Sequence, residues 1–167
     1  MHTSSRTLSQ LSILPVLTAA LIATGCSQRP EGGAAPAQPS EASFKEIGAY
    51  QLHYNAVRSD SLTPEVARAY GIERSKNRVM LNVTVLRKDP ASTASKPVEA
   101  AVTVDARNLN GQLKNIALRR VNEGDAIYYI GETGISGSEI LVFDIKATPA
   151  NESTPLEAQL RREFFAD

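Results

Sequence analysis

Between Arg78 and Lys88 the chain reads RVMLNVTVLRK. Val79, Leu81, Val83 and Val85 fall on one side of an extended backbone, and Asn82 and Thr84 fall on the other. A period of two held this long predicts a half-buried β-strand, because successive strand side chains point to opposite faces. No other feature restricts the fold as much. A strand with one apolar face needs neighbours along its edges and a second apolar layer over that face.

The rest of the chain supplies them. In IGAYQLHYNAV, Tyr50, Leu52 and Tyr54 alternate with Gln51 and His53. In VEAAVTVDARNL, Val98, Ala100, Val102, Val104 and Ala106 share a face. Asn110-Gly111 separates that run from LKNIALRRV, and Asn-Gly between alternating runs predicts a tight hairpin. Asn122-Glu123-Gly124-Asp125 predicts a second tight turn, leading into AIYYIG. Gly131, Gly134 and Gly137 read as turn formers before SEILVFDIKA, where Leu141, Phe143 and Ile145 share a face. KDPASTASKP reads as a loop through its two prolines. The final TPLEAQLRREFFAD fits two descriptions. Leu156, Ala158, Leu160 and Phe164 form one strand face interrupted by Arg162, while Thr154-Pro155-Leu156-Glu157 also fits a capped helix start. A meander of short strands ordinarily completes its sheet, so a strand is the expectation. The whole predicts an all-β fold with one short helix: an antiparallel immunoglobulin-like β-sandwich of about seven strands, with a small β-barrel as the alternative.

The helix is TPEVARAYG. Thr63 is placed to cap it, Pro64 takes its first position, and Gly71 ends it in the left-handed conformation. Val66 and Tyr70 lie one turn apart and are expected to plug one end of the sandwich, with Ile72 packing back on them.

The first residues read differently. Arg6 precedes an apolar run from Leu8 to Ile22, broken by small polar residues and Pro15, and the stretch LIATGC ends at Cys26. That is the pattern of a secretion signal over residues 1–25, too short and interrupted for a membrane-spanning helix. Cys26 is the single cysteine, so no internal disulfide can form. Ala23-Thr24-Gly25-Cys26 resembles the bacterial lipobox, in which the cysteine is acylated and becomes the mature N-terminus. Ser27 follows it, and by resemblance to Gram-negative lipoproteins this favours the outer membrane, with the domain facing the periplasm. Residues 26–43 are rich in Pro, Gly, Ala and Ser and read as a flexible tether, leaving residues 44–167 as the folded domain.

PEVARAYGIERSKNRVMLNVTVL, preceded by IGAYQLHYNAV, resembles a family of bacterial exported proteins known as domain of unknown function 4426. Pro64 to Val85 carries the most specific part of the resemblance, and ISGSEILVFDIK and LRREFF fit it more loosely. The resemblance implies a secreted or lipid-anchored, mainly β domain, and it carries over no catalytic residue.

Lys and Arg number 18, as do Asp and Glu, giving a formal net charge of zero. A general nucleic-acid binder needs a basic excess. Beyond the signal there is one histidine, His53, which excludes the common Cys/His zinc sets, and no G-x-S-x-G frame accompanies it. No metal or cofactor is expected. Asp125, Glu132, Glu139 and Asp144 lie in a run from Val121 to Ile145 that contains no Lys or Arg. Two of them across a cleft would suit a glycosidase; solvated charges on loops and outer strand faces are the plainer reading. The reverse bias, from Leu62 to Lys88, makes Arg68, Arg74, Lys76 and Arg78 the candidates for binding an anion or a partner. The functional expectation is a non-catalytic bacterial envelope lipoprotein, a binding or accessory module. It would be held to the membrane by acylated Cys26 and would meet an envelope protein or an anionic lipid or glycan. The alternatives are a periplasmic carboxylate-dependent glycan hydrolase and a purely structural domain.

Overall fold

The computed structural model describes residues 44–166. The expected secretion signal, Cys26 and the expected tether lie outside the described residues. The elements run β1 (Phe44–Ile47), β2 (Tyr50–Arg58), a 3-10 turn (Ser59–Ser61), α1 (Pro64–Ala69), β3 (Arg78–Lys88), β4 (Ser95–Pro97), β5 (Ala100–Asn108), β6 (Leu113–Lys114), β7 (Arg119–Glu123), β8 (Ala126–Gly134), β9 (Ser138–Pro149) and β10 (Leu156–Phe165). Seven strands of five or more residues carry the fold, and β1, β4 and β6 are short additions.

The strands form two antiparallel sheets. Sheet A has the order β1-β2-β3-β8-β7, with β4 also pairing β3; sheet B has the order β10-β9-β5-β6. The two pack face to face as a sandwich and do not close into a barrel. The alternation read from the sequence sets the layers. Val79, Leu81, Val83 and Val85 of β3 meet Leu141, Phe143 and Ile145 of β9 in one core, together with Tyr50, Leu52 and Tyr54. The final segment is a strand, with Leu156, Ala158, Leu160 and Phe164 turned into that core. The Ala100 amide of β5 donates to Tyr129 Oη of β8 at 2.8 Å, tying one sheet to the other.

Four expectations change in detail. The run LKNIALRRV is not one strand. It divides into β6, a crossing segment and β7, and so passes from sheet B to sheet A. The passage is possible because Gly131 has no side chain. A Cβ there would stand 2.7 Å from Ile116 Cγ1 and 2.8 Å from Leu118 Cδ2. Gly131 is therefore a strand-interior residue of β8 that admits a crossing chain, not a turn former. The hairpin before the crossing has a longer loop than Asn-Gly alone implies: Arg107 pairs with Leu113, and Asn108 Oδ1 accepts from the amides of Asn110 (3.1 Å) and Gln112 (3.0 Å).

The fourth concerns the helix. Its ends are as read. The Val66 amide donates to Thr63 Oγ1 at 3.3 Å, and Gly71 has φ +60. The Gly71 amide donates to Arg68 O and the Ile72 amide to Ala67 O, the paired bonds of a Schellman stop. Its position differs. Val66 is 38% exposed, and the buried helix residue is Ala67, which packs with Ile72, Met80 and Ile130. Met80 and Ile130 project from the side of sheet A opposite the main core. The helix therefore covers the outer face of sheet A and does not cap the sandwich end. One residue decides this: Met80 is an apolar interruption on the polar side of β3, and it needs a cover.

Cations close the side of the sandwich where β1 and β2 approach β10. Lys45 Nζ donates to Glu157 O at 3.0 Å. The Arg58 guanidinium donates to the Phe165 carbonyl, and Arg162 Nη1 donates to Asn55 Oδ1 (2.7 Å) and to the Ala56 carbonyl. These bonds occupy edge carbonyls that a foreign strand would otherwise reach.

Candidate functional site

The outer face of sheet A is built in rows. Phe44, His53 and Thr84 stand side by side across β1, β2 and β3. Next to them run Asn55, Asn82 and Ile130 across β2, β3 and β8. The following row is Val57, Met80 and Glu132, where the helix-covered cluster begins. His53, Tyr54, Asn55, Asn82 and Thr84 line a hollow of about 160 Å³.

Three polar atoms of these residues are closed off from solvent with no hydrogen-bond partner among the described residues: His53 Nε2, Asn82 Oδ1 and Thr84 Oγ1. Each such atom costs ~1–3 kcal/mol of lost hydration. Folded proteins pair nearly all buried polar groups, so three unpaired ones side by side set this patch of the outer face apart from the rest of the sheet. Burial lowers the His53 pKa, so its ring is neutral near pH 7. The Phe44 ring stacks on His53 with centroids 5.1 Å apart and planes inclined by 22°, and Phe44 remains 44% exposed. The sequence places His53 on the polar side of its strand, which is correct. It does not show that three neighbouring polar groups are all buried and unpaired, because that depends on the register of β2 against β3.

The basic candidates gather around α1 and the loop after it. They are partly neutralised there. Arg78 lies 3.6 Å from both Glu73 and Glu132, and Arg74 donates to Asp60 O at 2.9 Å. Arg68 reaches Glu65 only at 4.0 Å, with both side chains largely exposed. Lys76 takes part in none of the ion pairs among the described residues. The fold pairs the carboxylates of the acidic run with cations from other segments: Glu132 with Arg78 of the basic run, Glu139 with Lys114 at 2.7 Å, and Asp144 with Arg107.

Those contacts bear on acid–base chemistry. Burial pulls the Glu139 carboxyl up, but Lys114, Asn108 and the Ser136 amide together hold it below the ordinary range. Arg107, then Gln159, hold Asp144 down as well. A general acid needs the opposite shift. Asp105 and Asp144 are cross-strand neighbours in a depression of about 450 Å³ on the outer face of sheet B, which also includes Lys45, Lys146 and Glu157. There Asp144 is bonded to Arg107 and Gln159, Lys146 lies 3.4 Å from Glu157, and Lys45 donates to Glu157 O. A ligand would have to displace those bonds. A larger hollow of about 610 Å³ lies against the loop 89–94, whose polar groups bond within the loop, as from the Asp89 amide to Ala94 O at 3.2 Å. Among the described residues no group of three or more His, Cys, Asp or Glu could hold a metal ion, and no helix is long and apolar enough to cross a membrane.

Comparison with known proteins gives two findings. The family model described as "Domain of unknown function (DUF4426)" matches residues 44–167. The crystal structure of a DUF4426 family protein from Pseudomonas aeruginosa PAO1 is similar to this chain, at 38% sequence identity and a TM-score of 0.63, covering 74% of this chain and 94% of that one. No curated protein matches the chain.

Proposed function

The chain belongs to the DUF4426 family, and from that premise we propose that it is a non-catalytic binding module of the bacterial envelope. In this reading acylated Cys26 anchors it to the outer membrane, and the outer face of sheet A is its contact surface. One observation carries the choice of surface: the three buried polar atoms of His53, Asn82 and Thr84 that have no partner among the described residues. The carboxylates support the absence of acid–base chemistry, since Glu139 and Asp144 are held ionised by their neighbours. Arg68, Arg74, Lys76 and Arg78 form a margin beside that surface, and Lys76, outside the described ion pairs, is the member best able to meet an anionic group.

The anchor is tested by mass spectrometry of the mature N-terminus. A chain beginning at an acylated Cys26 is expected, and an unmodified N-terminus at another residue would remove the anchor. The surface is tested by chemical-shift mapping of the full chain with solubilised envelope fractions. Perturbations are expected at residues 53, 55, 82 and 84. A response restricted to the outer face of sheet B would place the contact elsewhere.

A further inference from the structure

We propose that the end of the sandwich formed by the turn 108–113 and the loop 74–77 lies against a lipid bilayer, with Leu109 and Leu113 entering its interface and Arg74 and Lys76 meeting anionic headgroups. The inference goes beyond the proposed function and shares with it only the anchor at Cys26. It holds whatever the outer face of sheet A contacts. This end is assembled from distant segments. The Ile135 amide donates to Asn77 O at 2.9 Å, the Ser136 amide to Glu139 Oε2 at 3.2 Å, and Asn108 Nδ2 to Glu139 Oε1 at 3.2 Å. The Ala166 amide donates to Gly137 O at 3.2 Å and so brings the finish of β10 to the same place. Five large apolar side chains are exposed among the described residues, and Leu109, Leu113 and Phe165 of these stand at this end.

A single exposed leucine needs no explanation. Here two flank one turn, at 56% and 79% exposure, and the backbone between them is already satisfied. Asn108 Oδ1 accepts from the amides of Asn110 and Gln112, and Asn108 O accepts from the amide of Gly111 at 3.0 Å. An amide that has its hydrogen bond loses little on leaving water, whereas an unpaired one is costly to move. The turn therefore presents apolar side chains with few backbone donors to dehydrate. Charge favours a bilayer as the occupant. Asp60, Glu73 and Glu139, the carboxylates beside the two loops, are paired with Arg58, Arg78 and Lys114. Glu163 lies outside such pairs, on β10 in the other sheet from the loop 74–77. Arg74 donates to a neutral carbonyl, and Lys76 is in none of the described ion pairs. Both keep their charge for an outside anion. Apolar side chains next to free cations suit an anionic lipid interface.

The path of the chain agrees. β1 is antiparallel to β2, so followed backwards from Phe44, which stands opposite His53, it points toward Arg58. Arg58 belongs to this end, since its guanidinium donates to the Phe165 carbonyl. From His53 to Arg58 β2 covers ~17 Å. The 17 residues between Cys26 and Phe44 span ~20–25 Å as an expanded chain. An anchor at Cys26 is thus reached from the side of the domain that carries the two leucines, and at a matching distance.

The chain has no tryptophan, so a single introduced one reports its own depth. Leu113→Trp and, in the loop 89–94 at the opposite end, Ala91→Trp are each made in the full chain and reconstituted into phosphatidylcholine vesicles with and without phosphatidylglycerol. Both positions are exposed, so neither change burdens the core. The emission of Leu113→Trp should move to shorter wavelength and be quenched by brominated acyl chains. Quenching should be stronger with phosphatidylglycerol, and this increment should fade as salt is raised. Ala91→Trp should show neither change. In the Leu113→Trp chain, Leu109→Ser should reduce the quenching and Lys76→Glu should remove the phosphatidylglycerol increment. No quenching of Leu113→Trp, equal quenching at both positions, or quenching that Leu109→Ser and Lys76→Glu both leave unchanged would overturn the proposal. So would an emission that ignores vesicles but shifts with solubilised envelope proteins, which would give this end to a protein partner. Quenching of Leu113→Trp in a chain whose Cys26 is unmodified would uphold the proposal and remove the anchor. An acylated Cys26 with a silent Leu113→Trp would do the reverse.

Discussion

A buried hydroxyl without a partner is a local cost, and Thr84 carries one. Valine has the same branched shape and the same preference for strands. Thr84→Val should therefore raise unfolding stability by ~1 kcal/mol, read from the denaturant midpoint; an unchanged or lower midpoint would mean that the hydroxyl is satisfied in solution. Gly131 behaves in the opposite sense. Gly131→Ala drives a methyl group to within 3 Å of Ile116 and Leu118, and overpacking of this kind costs ~1–3 kcal/mol. Equal stability in that variant would show that the crossing chain can shift aside. Both residues illustrate a limit of reading one segment at a time. The sequence marks Thr84 as outward-facing and Gly131 as special, but only register brings His53 beside Thr84, and only topology brings residues 116–118 over Gly131.

Among the elements, α1 is the most informative. Its boundaries were legible because capping chemistry is local: Thr63, Pro64 and Gly71 each act within a few residues. Its docking site was not legible, since it depends on which side of β3 Met80 occupies and on what lies across from it. Ala67→Asp, which puts a charge into the cluster of Ile72, Met80 and Ile130, is expected to detach the helix while the sandwich stays folded. Hydrogen exchange should quicken over residues 64–72 with little change in β9. Global unfolding instead would show that the outer cluster and the main core act as one cooperative unit. The strands divide in the same way. β3, β5 and β9 followed from alternation because each keeps to one sheet, whereas LKNIALRRV changes sheets midway and its pattern cannot report that.

For the molecule as a whole, a formal charge of zero conceals specific pairing across the sequence. Glu139 and Asp144 have carboxyl pKa values lower in the fold than the ordinary 4.5 and 3.8. The unfolded chain then binds protons before the folded one does, so their stabilisation is complete above those ordinary values and is lost as pH falls through the folded ones. Stability should decline below about pH 4.5, and Glu139→Gln, which no longer titrates, should lessen that decline. An equally steep decline in the variant would assign the acid sensitivity to other groups. The short strand β1 gives the sandwich a directional mechanical property. It pairs with β2 through four residues, with Phe44 opposite His53 at the open end and the turn at Gly48 at the other. A load reaching the domain through its N-terminal side would pull β1 away from β2 one pair at a time, instead of shearing all the pairs together. The first contact to part would be the ring stack on His53, so tension would act on that outer face well before it reached the core.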